Sequence, residues 1–410
     1  MRLRLLRRNL LLLALASLAL ALLIYVKLLA VAGAGAESRE TAQATPPRPR
    51  YGDAGALRAS VYGMNHGQRV LNADRFPDEP EVVLVVQVHN RPAYLKMLVR
   101  SLENTAEVRR FLVIFSHDHL SEEIAGIVQG VTFCKVLQIY YPFSQQLYPG
   151  EFPGQDPKDC PRDVGKEAAV KAGCLNAEHP DSYGHYREAH ITQAKHHWWW
   201  KLHFAWERVR ALQGFSGFAV FIEEDNYLLP DFYHFLKNMS RHRKAHCPDC
   251  DMLALGNHDG TSGFNELSGK LETTGWLSTK HNLGMGISRE IYYKMMGCSD
   301  EFCTYDDYNW DWTLQSLSGT CISKPLKVLA ARGTRVLHTG DCGLHQKDAC
   351  QPEQAHARIL DSLRQAKAAL FPDTLAITRQ GPVEHRAHVK NGGWGDIRDH
   401  ALCKTYAKRL

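Results

Sequence analysis

The chain has 410 residues, 44% of them hydrophobic and 23% charged, enough to bury a large core. Its 49 basic and 44 acidic side chains leave a net charge of +5, and Arg2, Arg4, Arg7 and Arg8 supply four of those charges ahead of the first apolar run. The body is therefore near neutral, without a basic run or an RNA-type motif, which argues against nucleic acid as a partner.

Behind those arginines the chain is apolar from Leu10 to Val26 and, after Lys27, again to Val31. About twenty apolar residues span a bilayer, and a lysine near one end snorkels to the interface. Residues 1–8 are expected to be a cytosolic tail and residues 9–31 a retained signal-anchor. A cleaved signal peptide is the rival, because Ala32 to Ala36 offers small residues. Residues 32–80 are rich in Ala, Gly, Pro and Arg without sustained periodicity, the composition of a tether. Residues 81–410 form the expected folded body.

The positive-inside rule places that body in the secretory lumen, where eleven cysteines are at home. Cys247-Pro248-Asp249-Cys250 has no second CxxC to complete a zinc site, so a disulfide is favoured. Cys160 faces Cys174 over a short span, and Cys403 can staple the tail to the body. The odd count leaves a thiol over, with Cys134, beside an apolar strand, as the candidate. Asn238-Met239-Ser240 is the only N-glycosylation sequon, and it falls on a predicted helix.

The body alternates strand, polar tip and helix. Val82 to Val88 is an apolar strand ending in His89-Asn90-Arg91, with a helix expected from Ala93 to Leu102. Phe111 to Phe115 repeats the plan and closes on Ser116-His117-Asp118; Val136 to Tyr141 is a third strand. This alternation means a parallel sheet whose tips share one edge. Asp118 suits either a nucleotide contact or a helix cap. No G-x-G-x-x-G accompanies these strands.

Gln193 to Leu212 reads as one helix with Trp198, Leu202, Ala205 and Val209 on its core face. Gln193, Ala194, Lys195, His196 and His197 stand at its start, where N–H groups attract phosphate. Val220-Phe221-Ile222 is a buried strand running into Glu223-Glu224-Asp225, just before a helix that begins around Pro230. Adjacent carboxylates repel unless a cation or hydrogen bonds compensate, so the triplet is either a metal site or a solvated acidic turn. Gly256 to Gly275 reads as a polar loop, and Ser288 caps a helix from Arg289 to Met296. Asp306 or Asp307 can cap the helix that continues through Leu317. Asp311 lies inside it between Trp310 and Trp312, where desolvation would raise its pKa as a general base requires. His338 ends a strand and suits either a metal site with Asp225 or a structural role.

Gln87 to Arg91, Ser116 to Asp118, Lys195 to Trp200, Glu223 to Asp225 and Tyr305 to Trp312 together resemble the N-acetylglucosaminyltransferase II family of Golgi glycosyltransferases. The resemblance covers about Glu81 to the C-terminus. It implies an α/β body of the Rossmann-like GT-A fold with a mostly parallel central sheet. It also implies an inverting, manganese-dependent transfer of GlcNAc from UDP-GlcNAc to the α1,6-arm mannose of N-glycans. Gln87, Val88, His89, Asn90, Arg91 and Asp118 would hold the uridine and ribose, with Gln193 to His197, Glu223 and Glu224 lining the donor pocket. Asp225 and His338 would bind manganese and Asp311 would be the base. The implied bridges are Cys160–Cys174, Cys247–Cys250, Cys298–Cys321, Cys303–Cys403 and Cys342–Cys350. The implied setting is the Golgi membrane with the body lumenal, and a homodimer is admitted. Two departures from the family pattern are Asn226 after the acidic triplet and the Gly256 to Gly263 loop. The rival readings are a transferase for another mannose arm and a catalytically silent glycan-binding scaffold.

Overall fold

The computed structural model describes residues 53–260, 263–340 and 351–408. The expected tail, the anchor, the stem up to residue 52, and Cys342 and Cys350 lie outside the described residues. No helix among the described residues is long and apolar enough to cross a membrane.

The apolar runs form a ten-stranded sheet. Its strands are β1 (Val70–Leu71), β2 (Val82–Val88), β3 (Phe111–His117), β4 (Lys135–Tyr140), β5 (Ala219–Glu223), β7 (Met252–Ala254), β8 (Lys270–Gly275), β9 (Met285–Ile287), β10 (Lys327–Ala331) and β12 (Ala376–Gln380). They lie in the order β1-β4-β3-β2-β5-β9-β7-β10-β8-β12. The run β4-β3-β2-β5 is parallel, as the alternation predicts, and β9 reverses direction beside β5. Parallel strands are covered on both faces. Val83 and Val85 of β2 accordingly pack under the tryptophan-bearing helix Ala189–His203, whereas Val82, Leu84 and Val86 pack on the opposite face with the helices Pro92–Glu103 and Phe232–His246. The two-stranded ribbon of β6 (Asn226–Leu228) and β11 (Val336–His338) stands beyond the end of β5 and separates the acidic triplet from the helix Phe232–His246.

The structure corrects four expectations. Residues 54–71 belong to the folded body and not to the tether. The helix Ala54–Gly67 buries Leu57 and Val61 against Leu120, Tyr140 and Leu147, and β1 pairs antiparallel with β4. Burying a leucine this completely is worth enough that Leu57→Ala should cost about 2–5 kcal/mol, read as a lower denaturant midpoint; an unchanged midpoint would restore the tether reading. The Gly256 to Gly275 stretch contains the short helix Phe264–Leu267 and β8, because Leu271 reaches the core while Gly269 and Gly275 mark only the strand ends. The tryptophan helix starts at Ala189 and stops at His203. A wider turn follows from Phe204 to Arg208, closed by the Val209 N–H on the Phe204 carbonyl at 3.0 Å. Trp198, Leu202, Ala205 and Val209 all stay buried, because the wide turn re-phases the apolar face. The helix that bears Asp311 is Trp310–Thr320, with Asn309 in the capping position instead of Asp306 or Asp307.

Candidate active site

The tips of β2, β3 and β5 meet at one edge. The Asp118 N–H donates to the Val88 carbonyl at 3.1 Å, and the Glu224 N–H donates to the Gln87 carbonyl at 2.9 Å. The three carboxylates find the compensation that their mutual repulsion demands. Arg91 donates through Nε to Glu224 Oε1 at 2.7 Å and through Nη1 to Asp225 Oδ2 at 2.8 Å, and the His89 N–H donates to Glu224 Oε2 at 2.9 Å. Glu224 is thus a buried support for Arg91 and His89. Burial pushes its carboxyl up, and Arg91 only partly offsets that. Glu223 is also raised by burial and by the neighbouring Asp225.

Asp225 behaves differently. Burial works against its ionised form, but His338 and Arg91 outweigh it and hold the carboxyl at about 2. His338 comes from the other strand of the ribbon, where it pairs with Asn226 across the register. Its Nε2 lies 3.4 Å from Asp225 Oδ2, and hydrogen bonding to that carboxylate raises its pKa. The Thr339 N–H and Oγ both donate to the Asp225 carbonyl, at 2.8 and 2.7 Å, which fixes the strand crossing. Gly340 then passes so close that a Cβ there would lie 2.3 Å from Asp225 Oδ2. A side chain at position 340 would fill the space in front of the pair. Asn226 closes the turn, accepting from the Glu223 N–H at 3.1 Å and donating to Asp225 Oδ1 at 3.4 Å. One carboxylate and one imidazole, side by side and kept open by glycine, are a donor set that fits a divalent cation such as manganese. Among the described residues the only cluster of three metal-type ligands is Cys247, Asp249 and Cys250, and there the two cysteines are bonded to each other.

Beside this junction Asp118 sits between two imidazoles. His89 Nδ1 is 2.6 Å from Oδ1 and His197 Nδ1 is 3.2 Å from Oδ2. Asp118 raises His89 to about 9 against the effect of burial, so His89 is cationic at neutral pH. His197 is fixed from behind by Ser116 Oγ at 2.8 Å. Gln87 accepts from Lys201 Nζ at 2.6 Å, which turns its amide nitrogen outward, since an ammonium offers only donors. Asn90 is exposed and Val88 is buried in the core.

The Gln193 to His197 set does not act as one wall. These residues stand beyond the first turn of the helix, not among its first free N–H groups. Gln193 accepts from the Gln145 N–H at 2.7 Å, and Ala194 brings only a methyl group. His196 contacts Asp399 at 3.0 Å and Tyr406 at 3.2 Å, both in the C-terminal helix Ile397–Tyr406. Lys195 is fully buried and donates to the carbonyls of Tyr305 and Asp307, at 3.0 and 2.8 Å. Lys195 therefore pins the segment that leads into the Asp311 helix. Trp198 stacks on Trp310 of that helix with ring centroids 4.2 Å apart, so the tryptophans are core.

Asp311 lies in the first turn of that helix, half-buried. Burial raises its carboxyl to about 6, against two hydrogen bonds that lower it, from the Trp312 N–H at 2.9 Å and Asn282 Nδ2 at 3.1 Å. Glu223 and Asp307 are the acidic neighbours that push the same way as burial. A carboxylate at this value accepts a proton near neutral pH, as a general base must. Asn282 gives no sequence signal, being one amide in a polar stretch. His258, from the loop that departs from the family pattern, holds its Oδ1 at 2.9 Å and so fixes the amide's orientation. Removing this donor should raise the Asp311 pKa further. We expect Asn282→Ala to move the acidic limb of the activity profile to higher pH, because a general base works in its deprotonated form. An unshifted limb would show that Asn282 does not orient the base.

The bridges Cys160–Cys174, Cys247–Cys250, Cys298–Cys321 and Cys303–Cys403 are present, and Cys134 is free and buried. Burial pushes its thiol up to about 12, which makes it inert.

Comparison with known proteins agrees with this geometry. A family model described as N-acetylglucosaminyltransferase II (MGAT2) matches residues 58–403. The chain is 51% identical over 354 residues to the human alpha-1,6-mannosyl-glycoprotein 2-beta-N-acetylglucosaminyltransferase, covering 86% of this chain and 79% of that one. It is 49% identical to the rat protein of the same name, with 86% and 80% covered. The Arabidopsis thaliana protein of that name is 34% identical over 375 residues, with 86% and 84% covered.

Proposed function

The chain belongs to the N-acetylglucosaminyltransferase II family, and we propose how its own residues carry out the reaction for which that family is named. The protein is an enzyme that transfers N-acetylglucosamine in β-1,2 linkage to the α-1,6-linked mannose arm of glycoprotein glycans. We read the α/β body as a GT-A fold and the donor as UDP-GlcNAc. The observation that carries the mechanism is a pair of unlike carboxylates that share Glu223 as an acidic neighbour, Asp225 held ionised and Asp311 raised to about 6.

A β-linked product from an α-linked sugar nucleotide requires inversion by one in-line displacement. Asp311 takes the proton from O2 of the acceptor mannose as that oxygen attacks the anomeric carbon. Asp225 and His338 would hold manganese, which would supply positive charge at the leaving diphosphate. Arg91 and the cationic His89 add fixed positive charge beside it, and Glu224 keeps Arg91 oriented. Asp118 and Gln87 form the wall that orients the nucleoside, with the buried His197 holding Asp118 from behind. No covalent nucleophile is needed.

The anchor at residues 9–31 would hold the enzyme in the Golgi membrane with the body in the lumen, which suits four disulfides. Protease protection of the body in intact Golgi vesicles tests this placement, and digestion without detergent would overturn it. The metal assignment is tested by UDP release from enzyme freed of divalent ions. Release should return on adding manganese, and full turnover in the chelated enzyme would contradict the assignment.

A further inference from the structure

We propose that Asn238 carries an N-linked glycan whose first N-acetylglucosamine lies in the groove beside the helix Phe232–His246. The inference rests on the lumenal reading above, because the sugar donor is met only there. His234, Lys237, Asn238 and Arg241 fall on one face of this helix, at the i, i+3, i+4 and i+7 spacing, and form one side of a groove of about 270 Å³. The chain's only sequon therefore opens into a cavity of saccharide scale.

The opposite wall is built in a costly way. Phe371 has a left-handed backbone, φ 57°, and the residue is left 43% exposed at the groove. A bulky residue in this conformation is strained, and such strain persists only where the surroundings impose it. Here the Phe371 N–H donates to Asp231 Oδ2 at 3.0 Å, and the same oxygen accepts from Arg335 in a fully buried ion pair. An aromatic ring displayed by a buried anchor is a stacking surface for a pyranose. Its edge-on neighbour is His234, with ring centroids 5.7 Å apart.

The folded hydrogen bonding at Asn238 also tolerates a sugar on Nδ2. His234 Nε2 lies 2.9 Å from the Pro372 carbonyl and 3.0 Å from Asn238 Nδ2. One ring nitrogen cannot donate to the first and accept from the second. With the proton on the Pro372 contact, Nδ2 has no acceptor at His234, while Arg241 holds Oδ1 at 3.4 Å. The modifying step joins Nδ2 to the anomeric carbon of a lipid-diphosphate oligosaccharide. The sugar–phosphate bond breaks, the lipid diphosphate leaves with the bonding electrons, and the amide proton passes to a base of the modifying transferase. It must precede folding, since the sequon ends up within a helix.

The full chain, expressed through the secretory pathway of animal cells, is digested without reduction and its peptides weighed before and after peptide N-glycosidase treatment. The Asn238 peptide should carry a glycan that Asn238→Gln and Ser240→Ala both remove. Glycosidase release from native enzyme should be slow, and Phe371→Ala should speed it roughly three- to tenfold. An unmodified Asn238 in protein whose Cys303–Cys403 bridge has formed overturns the inference alone. The same peptide from protein with reduced cysteines overturns the lumenal reading with it. A glycan released at one rate from native, Phe371→Ala and denatured enzyme overturns its seating in the groove.

Discussion

Asp311→Asn lowers transfer by about 10²–10⁴-fold while UDP still binds. The substitution keeps the side chain's shape, its place in the first turn of the helix Trp310–Thr320 and, through its one carbonyl oxygen, the hydrogen bond from the Trp312 N–H, whereas its amide nitrogen cannot accept from Asn282 Nδ2. It removes the ability to accept a proton, together with the Asn282 contact on that side of the group. The proposed donor site on the tips of β2, β3 and β5 keeps every contact described above. Binding of UDP and turnover should therefore separate, and calorimetry beside a UDP-release assay reads both. The wild-type profile gives a second check. A base raised to about 6 is protonated below that pH, so activity should fall as pH drops through about 6, and Asp311→Asn should lose that limb. Turnover near the wild-type level in the variant would remove the base role from Asp311.

Asp225→Ala is the second large effect. A divalent ion on the leaving diphosphate is worth several kcal/mol of charge stabilisation, and each 1.36 kcal/mol is tenfold in rate. The loss should exceed about 10³-fold, and added manganese should not restore it. The fold should survive, because Arg91 keeps Glu224 as a partner and Thr339 binds the Asp225 backbone carbonyl, not the side chain. His338→Ala should weaken manganese binding in parallel. Thermal unfolding of Asp225→Ala close to wild type, together with lost manganese binding, is the expected pair of results. Retained manganese-dependent turnover would move the metal elsewhere.

What the sequence showed and what it hid follow from range. β2 and β3 are legible because long apolar runs leave few alternatives, and their tips carry the polar residues that the edge gathers. The acidic triplet is visible, but the β6–β11 ribbon that brings His338 to Asp225 pairs strands more than a hundred residues apart; the strand-end position of His338 left a metal role and a structural role open, and the family resemblance favoured the metal role. β8 is hidden by the glycines at its ends. The helix Ala54–Gly67 is hidden by its Ala- and Gly-rich composition, with only Leu57 and Val61 fully buried. Lys195 and His196 look like phosphate ligands by position in sequence. The C-terminal segment and the Tyr305 to Asp307 carbonyls cover them instead, a contact no local pattern encodes. Asn282 and His258 are ordinary polar residues until the fold sets one against Asp311 and the other against Asn282.

The measurement that bears most directly on the central claim is the linkage of the product. The enzyme is given UDP-GlcNAc, manganese and an N-glycan that already carries GlcNAc on its α1,3 arm, and the product is mapped by mass spectrometry and linkage analysis. One HexNAc added in β1,2 linkage to the α1,6-arm mannose, absent without manganese and absent in Asp311→Asn, is the predicted result. Addition to another arm, or UDP bound without any transfer, would contradict it.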